Sequence, residues 1–352
     1  MSALLIVGHG TRDERGAAEF RDFVELVRAR AVESGAADAV AGGFIELSPP
    51  PLKDAVTGLV AEGHRELTAV PLILLAAGHA KGDIPAALGR ERERHPGLRT
   101  RYARPLGPHP VILELLRRRL EQTLTATTVA PDAVLLVGRG TTDPDANADL
   151  YRAGRLLWET SRELGVRQVE AAFVSLAHPS VAEGLDRLRA LGARNIVVLP
   201  FFLFPGVLPT RIHTQTAAWL EGAGGSVSAV VADVIGGCDE LADLVLERYA
   251  EADGRGASPI GMNCDACVYR IAMPGFEDRV GREQRPHDHP EDPAHPHAHH
   301  HPHGHVQAAA HERLHEHQHE HTHTPALSRD LARSAPETRV SGPATTPSPP
   351  MG

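Results

Sequence analysis

Leu4-Leu5-Ile6-Val7-Gly8-His9-Gly10-Thr11-Arg12-Asp13 returns 130 residues later as Val134-Leu135-Leu136-Val137-Gly138-Arg139-Gly140-Thr141-Thr142-Asp143. Each copy is an apolar run entering a Gly-x-Gly turn, the pattern of a buried strand that ends in a tight loop. Working outward at an offset of 129, Phe44-Ile45-Glu46-Leu47 matches Phe173-Val174-Ser175-Leu176, and Val70-Pro71-Leu72-Ile73-Leu74 matches Leu199-Pro200-Phe201-Phe202-Leu203. Leu106-Gly107 matches Ile235-Gly236. Four blocks in one order at a near-constant offset mark a duplication. Its halves are residues 1–126 and 131–253.

Within the first half, Ala3–Val7, Val40–Leu47, Thr68–Leu75 and Leu98–Ala103 read as buried strands. Phe20, Phe23, Val24, Val27 and Ala31 recur at helical spacing, as do Leu52, Val56, Leu59 and Val60, and Val111–Leu124 closes the half as a helix. Continuous apolar strands alternating with amphipathic helices predict an α/β fold of two duplicated lobes, each a parallel sheet covered by helices. Ligands of such sheets bind beyond the carboxyl ends of the strands, so the expected site is a cleft between the lobes.

Composition narrows the classes. The chain has 352 residues, 42% hydrophobic and 23% charged, with no apolar run long enough for a membrane helix and no secretory signal, which predicts a cytoplasmic protein with no membrane partner. A net charge of −9 argues against a nucleic-acid partner. Seven of the 22 histidines fall before residue 287 and the other 15 crowd into 287–323 among Pro, Glu and Asp. Residues 287–352, His-rich and then Pro-rich, have the composition of a disordered tail. Residues 254–286 form an extension holding Cys264-Asp265-Ala266-Cys267. Such a pair supplies half the thiolates of a zinc or [4Fe–4S] site. Cys238, the third cysteine, stands at the repeat position of His109 and is a weaker candidate.

Three polar residues of the first half fall where strands end: His9, Glu46 and His79, the last in Gly78-His79-Ala80-Lys81-Gly82-Asp83-Ile84-Pro85. Their counterparts in the second half are Arg139, Ser175 and either Val207 or Leu208. Two imidazoles and a carboxylate survive on one side only. That set suits a divalent ion such as Co²⁺, Fe²⁺ or Ni²⁺ and equally suits proton abstraction near neutrality. Arg12, Lys81, Arg139 and Arg211 lie in the strand-end loops and are candidate anchors for an acidic ligand. No nucleotide site is expected: Asp13 stands where a dinucleotide fingerprint needs its third glycine, and no phosphate loop is present.

Gly8-His9-Gly10-Thr11-Arg12, the Phe44–Leu47 strand, Gly78–Pro85 and the degenerate Phe202–Leu208 resemble the sirohydrochlorin cobaltochelatase and ferrochelatase family over residues 1 to about 253. The resemblance implies insertion of a metal into sirohydrochlorin without ATP, with His9 and His79 as the paired histidines of the N-terminal lobe. Independently, the chemistry of insertion assigns the two imidazoles to holding the ion and accepting a proton, with the Glu46 carboxylate assisting by moving protons onward. The extension, followed by Met273-Pro274-Gly275-Phe276, resembles that of long cobaltochelatases, whose Met-x-Cys-x-x-Cys motif is associated with an iron–sulfur centre. It implies Co²⁺ insertion for cobalamin, with Cys264 and Cys267 completing a ligand set from elsewhere, a homodimer included. Ferrochelation for siroheme is the near alternative, and a metal store or metallochaperone built on the His-rich tail is the rival from another class.

Overall fold

Two four-stranded parallel sheets are built in the same order, β2-β1-β3-β4 and β6-β5-β7-β8. The computed structural model describes residues 2–127, 131–225, 227–254, 272 and 277–280, all within the first of the chain's two units, Met1–Glu283. The first sheet comprises β1 (Ala3–Gly8), β2 (Val40–Phe44), β3 (Glu66–Pro71) and β4 (Arg99–Tyr102); its helices are α1 (Glu14–Ser34), α2 (Leu52–Ala61) and α3 (Ile84–Arg94). Helix α4 (Pro110–Ala126) leads to the second sheet, β5 (Ala133–Gly138), β6 (Gln168–Phe173), β7 (Asn195–Pro200) and β8 (Ser228–Val231), with α5 (Pro144–Thr160), α6 (Val181–Ala190), α7 (Val207–Gly222) and α8 (Asp239–Ala252). The central strands β1 and β5 are buried at every position because helices cover both faces.

Several elements depart from the sequence expectations. The second and third strands are shorter than the apolar runs, ending at Phe44 and Pro71, so Glu46 lies on a loop rather than in a strand. The fourth run is an edge strand, and Arg99 and Arg101 face solvent. Helix α3 is weakly announced by the sequence because only Ile84, Leu88 and Glu91 of its eleven residues are buried.

Helix α4 does not close its own half. It packs against α5 and β7 of the second sheet, while its repeat equivalent α8 packs against α1 and β3 of the first. His109 and Cys238, equivalent in the duplication, are the N-caps of the two exchanged helices. The C-terminal end of α8 is pinned under the first sheet, where Tyr249 Oη donates to Ser2 O, Ser2 Oγ donates to Asp253 Oδ1 at 2.7 Å and Arg101 Nη1 lies 3.0 Å from the same carboxylate oxygen.

The exchange merges the inner faces of both sheets into one apolar core that includes Leu4, Ile6, Phe23, Leu116, Leu136, Leu199 and Tyr249. Separate outer layers lie under α2 and α3 and under α6 and α7. The lobes are therefore not beads on a linker: opening the cleft widely exposes shared apolar surface at roughly 25 cal/mol per Å². Phe204, on the loop after β7, adds to the seam by packing edge-on to Phe20 of α1 at 6.5 Å.

Candidate metal-binding site

In both sheets the strand order reverses between the first and third strands, the switch point at which open α/β sheets bind ligands. His9 leaves β1 at that point and Glu46 follows β2. His79 opens a π-helical turn, His79–Asp83, that runs straight into α3 rather than sitting in a strand-end turn. Such turns recur at functional sites. Here the turn places Asp83 one turn beyond His79, and Tyr102 Oη, kept protonated by burial, donates to Ala80 O at 2.8 Å and holds the turn down.

The sequence-predicted triad comes together: His9, Glu46 and His79 each present one ligand atom, all within 4.8 Å of one another. His9 Nε2 lies 2.8 Å from His79 Nε2 and 3.3 Å from Glu46 Oε1, with the two rings edge to face. The remaining ring nitrogens are committed. His9 Nδ1 lies 3.0 Å from Gly10 O and His79 Nδ1 lies 2.7 Å from Asp83 Oδ2. A carbonyl and a carboxylate only accept, so each Nδ1 carries the proton and each Nε2 keeps its lone pair. Three lone-pair donors thus face one point, an arrangement that repels itself until a cation sits there. Two imidazole nitrogens about 2.1 Å from one ion, bound side by side, stand roughly 3 Å apart, close to the spacing here.

Burial is the main cause that pushes the His9 pKa below its ordinary value, and the neighbouring His79 and Arg139 add to it. Neutral imidazole, the ligand form, is favoured. Gly10 makes the approach of the Glu46 loop feasible: its φ is +104° and a Cβ there would stand 1.8 Å from Glu46 O. Gly140 repeats the device against Ser175 O at 1.9 Å, so the same backbone frame recurs in the lobe where Arg139 and Ser175 stand in place of His9 and Glu46.

The candidate cations divide. Arg139, at the repeat position of His9, reaches across the cleft and donates from Nη1 to His9 Nε2 at 3.2 Å. Lys81 is tied to the second lobe through Asp143 at 2.6 Å and Asp145 at 3.4 Å. Arg12 lies in the loop after β1, whereas Arg211 falls within α7 rather than in a strand-end loop, because the helix starts at Val207; both are exposed, with no hydrogen bond or ion pair among the described residues. Cys264, Cys267 and the His-rich segment lie outside the described residues. Asp83, Tyr102 and Asp143 received no role from the sequence. Only the His79–Asp83 spacing of four gave a usable signal, and it acts only once that segment is helical.

No helix among the described residues is long and apolar enough to cross a membrane. The CbiX family model matches the chain twice, over residues 3–123 and 133–252. A sirohydrochlorin cobaltochelatase of Priestia megaterium is 35% identical over 276 residues, 78% of this chain and 86% of that protein. A sirohydrochlorin ferrochelatase of the same organism is 30% identical over 215 residues, 61% of this chain and 78% of that protein. Among solved structures, the sirohydrochlorin chelatase SirB from Bacillus subtilis subspecies spizizenii in complex with cobalt superposes with a TM-score of 0.58 at 26% identity, covering 72% of this chain and 97% of that one. With both halves matched by one model and the likeness to a sirohydrochlorin cobaltochelatase extending over 86% of that protein, the chain belongs to the CbiX family.

Proposed function

We propose that this chain is a sirohydrochlorin chelatase that inserts Co²⁺ into the tetrapyrrole without ATP, a lyase of cobalamin biosynthesis. The convergence of His9 Nε2, His79 Nε2 and a Glu46 oxygen at the switch point, with both Nδ1 atoms already committed, supports the reading most strongly. The substrate ion exchanges part of its water for the two imidazoles. As the ring closes on the ion, two pyrrole protons leave. Glu46 takes one and an imidazole released by the metal takes the other, both passing on to solvent, so the charge of the ion balances the protons lost. Arg12, Lys81, Arg139 and Arg211 are the cations offered to the ring's carboxylates.

Cobalt is placed first because the likeness to the cobaltochelatase runs over 276 residues against 215 for the ferrochelatase. Ligand type alone does not separate Co²⁺ from Fe²⁺, so ferrochelation for siroheme is the second reading. Anaerobic metallation of sirohydrochlorin, followed by absorbance with each ion in parallel, tests both. Wild type should exceed the spontaneous rate, with Co²⁺ ahead of Fe²⁺, and His79→Ala should fall to the spontaneous rate with its melting temperature unchanged. Undiminished turnover in that variant refutes the assignment.

We further read Cys264 and Cys267 as ligands of an iron–sulfur centre in a cytoplasmic, homodimeric enzyme, to be checked by iron and sulfide content and by mass after anaerobic purification. Residues 287–352 are read as a metal-collecting tail. Their deletion should lower activity at limiting Co²⁺ only. If deletion abolishes metallation at saturating Co²⁺ as well, the metal-store reading gains.

A further inference from the structure

Leu47 and Leu176 are the only non-glycine residues with positive φ among the described residues, at 65° and 64°. They occupy equivalent positions in the duplication, one residue after Glu46 and Ser175. Ser48 N–H donates to Glu46 O at 2.8 Å and Ala177 N–H donates to Ser175 O at 2.8 Å, closing two three-residue turns with a leucine at the centre of each. A bulky side chain is disfavoured in that conformation, and this form of the γ-turn is rare and strained. The strain gains no burial in return. Leu47 is 52% exposed and Leu176 is 68% exposed, among the few large apolar side chains so exposed.

A leucine held outward at such a cost in both lobes marks a contact with something apolar. Its place says what. Leu47 adjoins the metal-binding triad, its Cβ 3.4 Å from where a Gly10 Cβ would stand. On the other side the ligands are gone, and the rim offers Leu176 and the half-exposed Val207, one of the two candidate counterparts of His79. A flat apolar ring brought to an ion on the first lobe needs apolar contact near the ion and on the facing lobe.

Resting on the chelatase reading above, we propose that Leu47 and Leu176, one from each lobe, are the apolar contacts that seat the face of the sirohydrochlorin ring beside the bound ion. They are positioning residues for the ring and take no part in proton transfer.

The test uses the full chain and two probes, metal-free sirohydrochlorin and Co²⁺ alone. Leu176→Asn replaces the leucine by a polar residue that tolerates left-handed backbone. It should weaken ring binding about 10-fold, the worth of roughly one buried leucine, with Co²⁺ affinity within two-fold of wild type and melting temperature no lower. Leu47→Asn should weaken ring binding similarly, and the double variant more than either. Leu47→Met and Leu176→Met should restore most of the ring affinity. Unchanged ring affinity in the double Asn variant, or a loss confined to Co²⁺, overturns the proposal. Failure of the underlying reading looks different, because wild type itself would then neither bind sirohydrochlorin nor accelerate its metallation.

Discussion

Nε2 of His9 and Nε2 of His79 stand 2.8 Å apart with no proton available to either from its own tautomer. The acceptors behind the rings, Gly10 O and Asp83 Oδ2, set that state. The pair is poised for a cation because of its second neighbours. Asp83→Ala keeps both imidazoles in the chain yet should weaken Co²⁺ binding roughly 10–100-fold, since the His79 ring becomes free to turn and loses ligand basicity. Co²⁺ titration followed by visible absorbance measures this; affinity equal to wild type would show that Asp83 does not orient His79.

Arg139 occupies in the second lobe the position His9 occupies in the first, and its guanidinium donates to His9 Nε2, one of the three atoms of the candidate metal site. Arg139→Met removes both the competing hydrogen bond and the like charge. Partly exposed charges a few ångströms apart repel by about 1 kcal/mol in water, so Co²⁺ should bind several-fold tighter while sirohydrochlorin, stripped of a partner for its carboxylates, binds more weakly. The two titrations should move in opposite directions; a parallel loss of both would place Arg139 in the fold rather than at the ligand.

Gly16 sits in α1 where a Cβ would stand 2.2 Å from Pro205 O of the other lobe. In an open helix, Gly→Ala stabilises by about 1 kcal/mol. Here the sign should reverse, because the collision is with backbone: Gly16→Ala should cost roughly 1–3 kcal/mol and lower turnover by disturbing the seam beside the cleft. Thermal melting decides the sign.

The exchanged helices are also joined by charge. The Arg118 guanidinium, 2.6 Å from Glu240, is the main reason that the Glu240 carboxyl titrates down at about 2. A depressed carboxyl contributes stability that is present above its ordinary value near 4.5 and is lost as pH falls from there towards 2. Both side chains are more than a third exposed, so the contribution should stay below about 1 kcal/mol. Glu240→Gln should flatten that part of the stability–pH curve and leave neutral pH little changed, as acid-range melting would register.

The strand-end positions of His9 and Glu46 were legible because periodicity and Gly-flanked turns locate strand ends, and repetition showed that the second lobe has no counterpart of the His9, Glu46 and His79 side chains; the π-helical turn that carries His79 was not legible. Nor were other features. Lys81 reads as a loop cation until the fold sets Asp143 beside it. Arg101 looks like part of a buried run until β4 proves to be an edge strand. Helix α4 has the apolar face of any closing helix, and nothing in that face says which sheet it will cover.

From its residues alone this chain determined a duplicated parallel α/β architecture and singled out His9, Glu46 and His79 as the candidate triad, because both follow from local patterns of burial and turn formation. Tertiary structure decided the exchange of α4 and α8, the pairing of Nε2 with Nε2, the tautomers imposed by Gly10 and Asp83, and the reach of Arg139 into the first lobe. Those depend on which surfaces meet across a shared core, and contact between residues 70 or 130 positions apart is a property of the packed chain rather than of any segment of it.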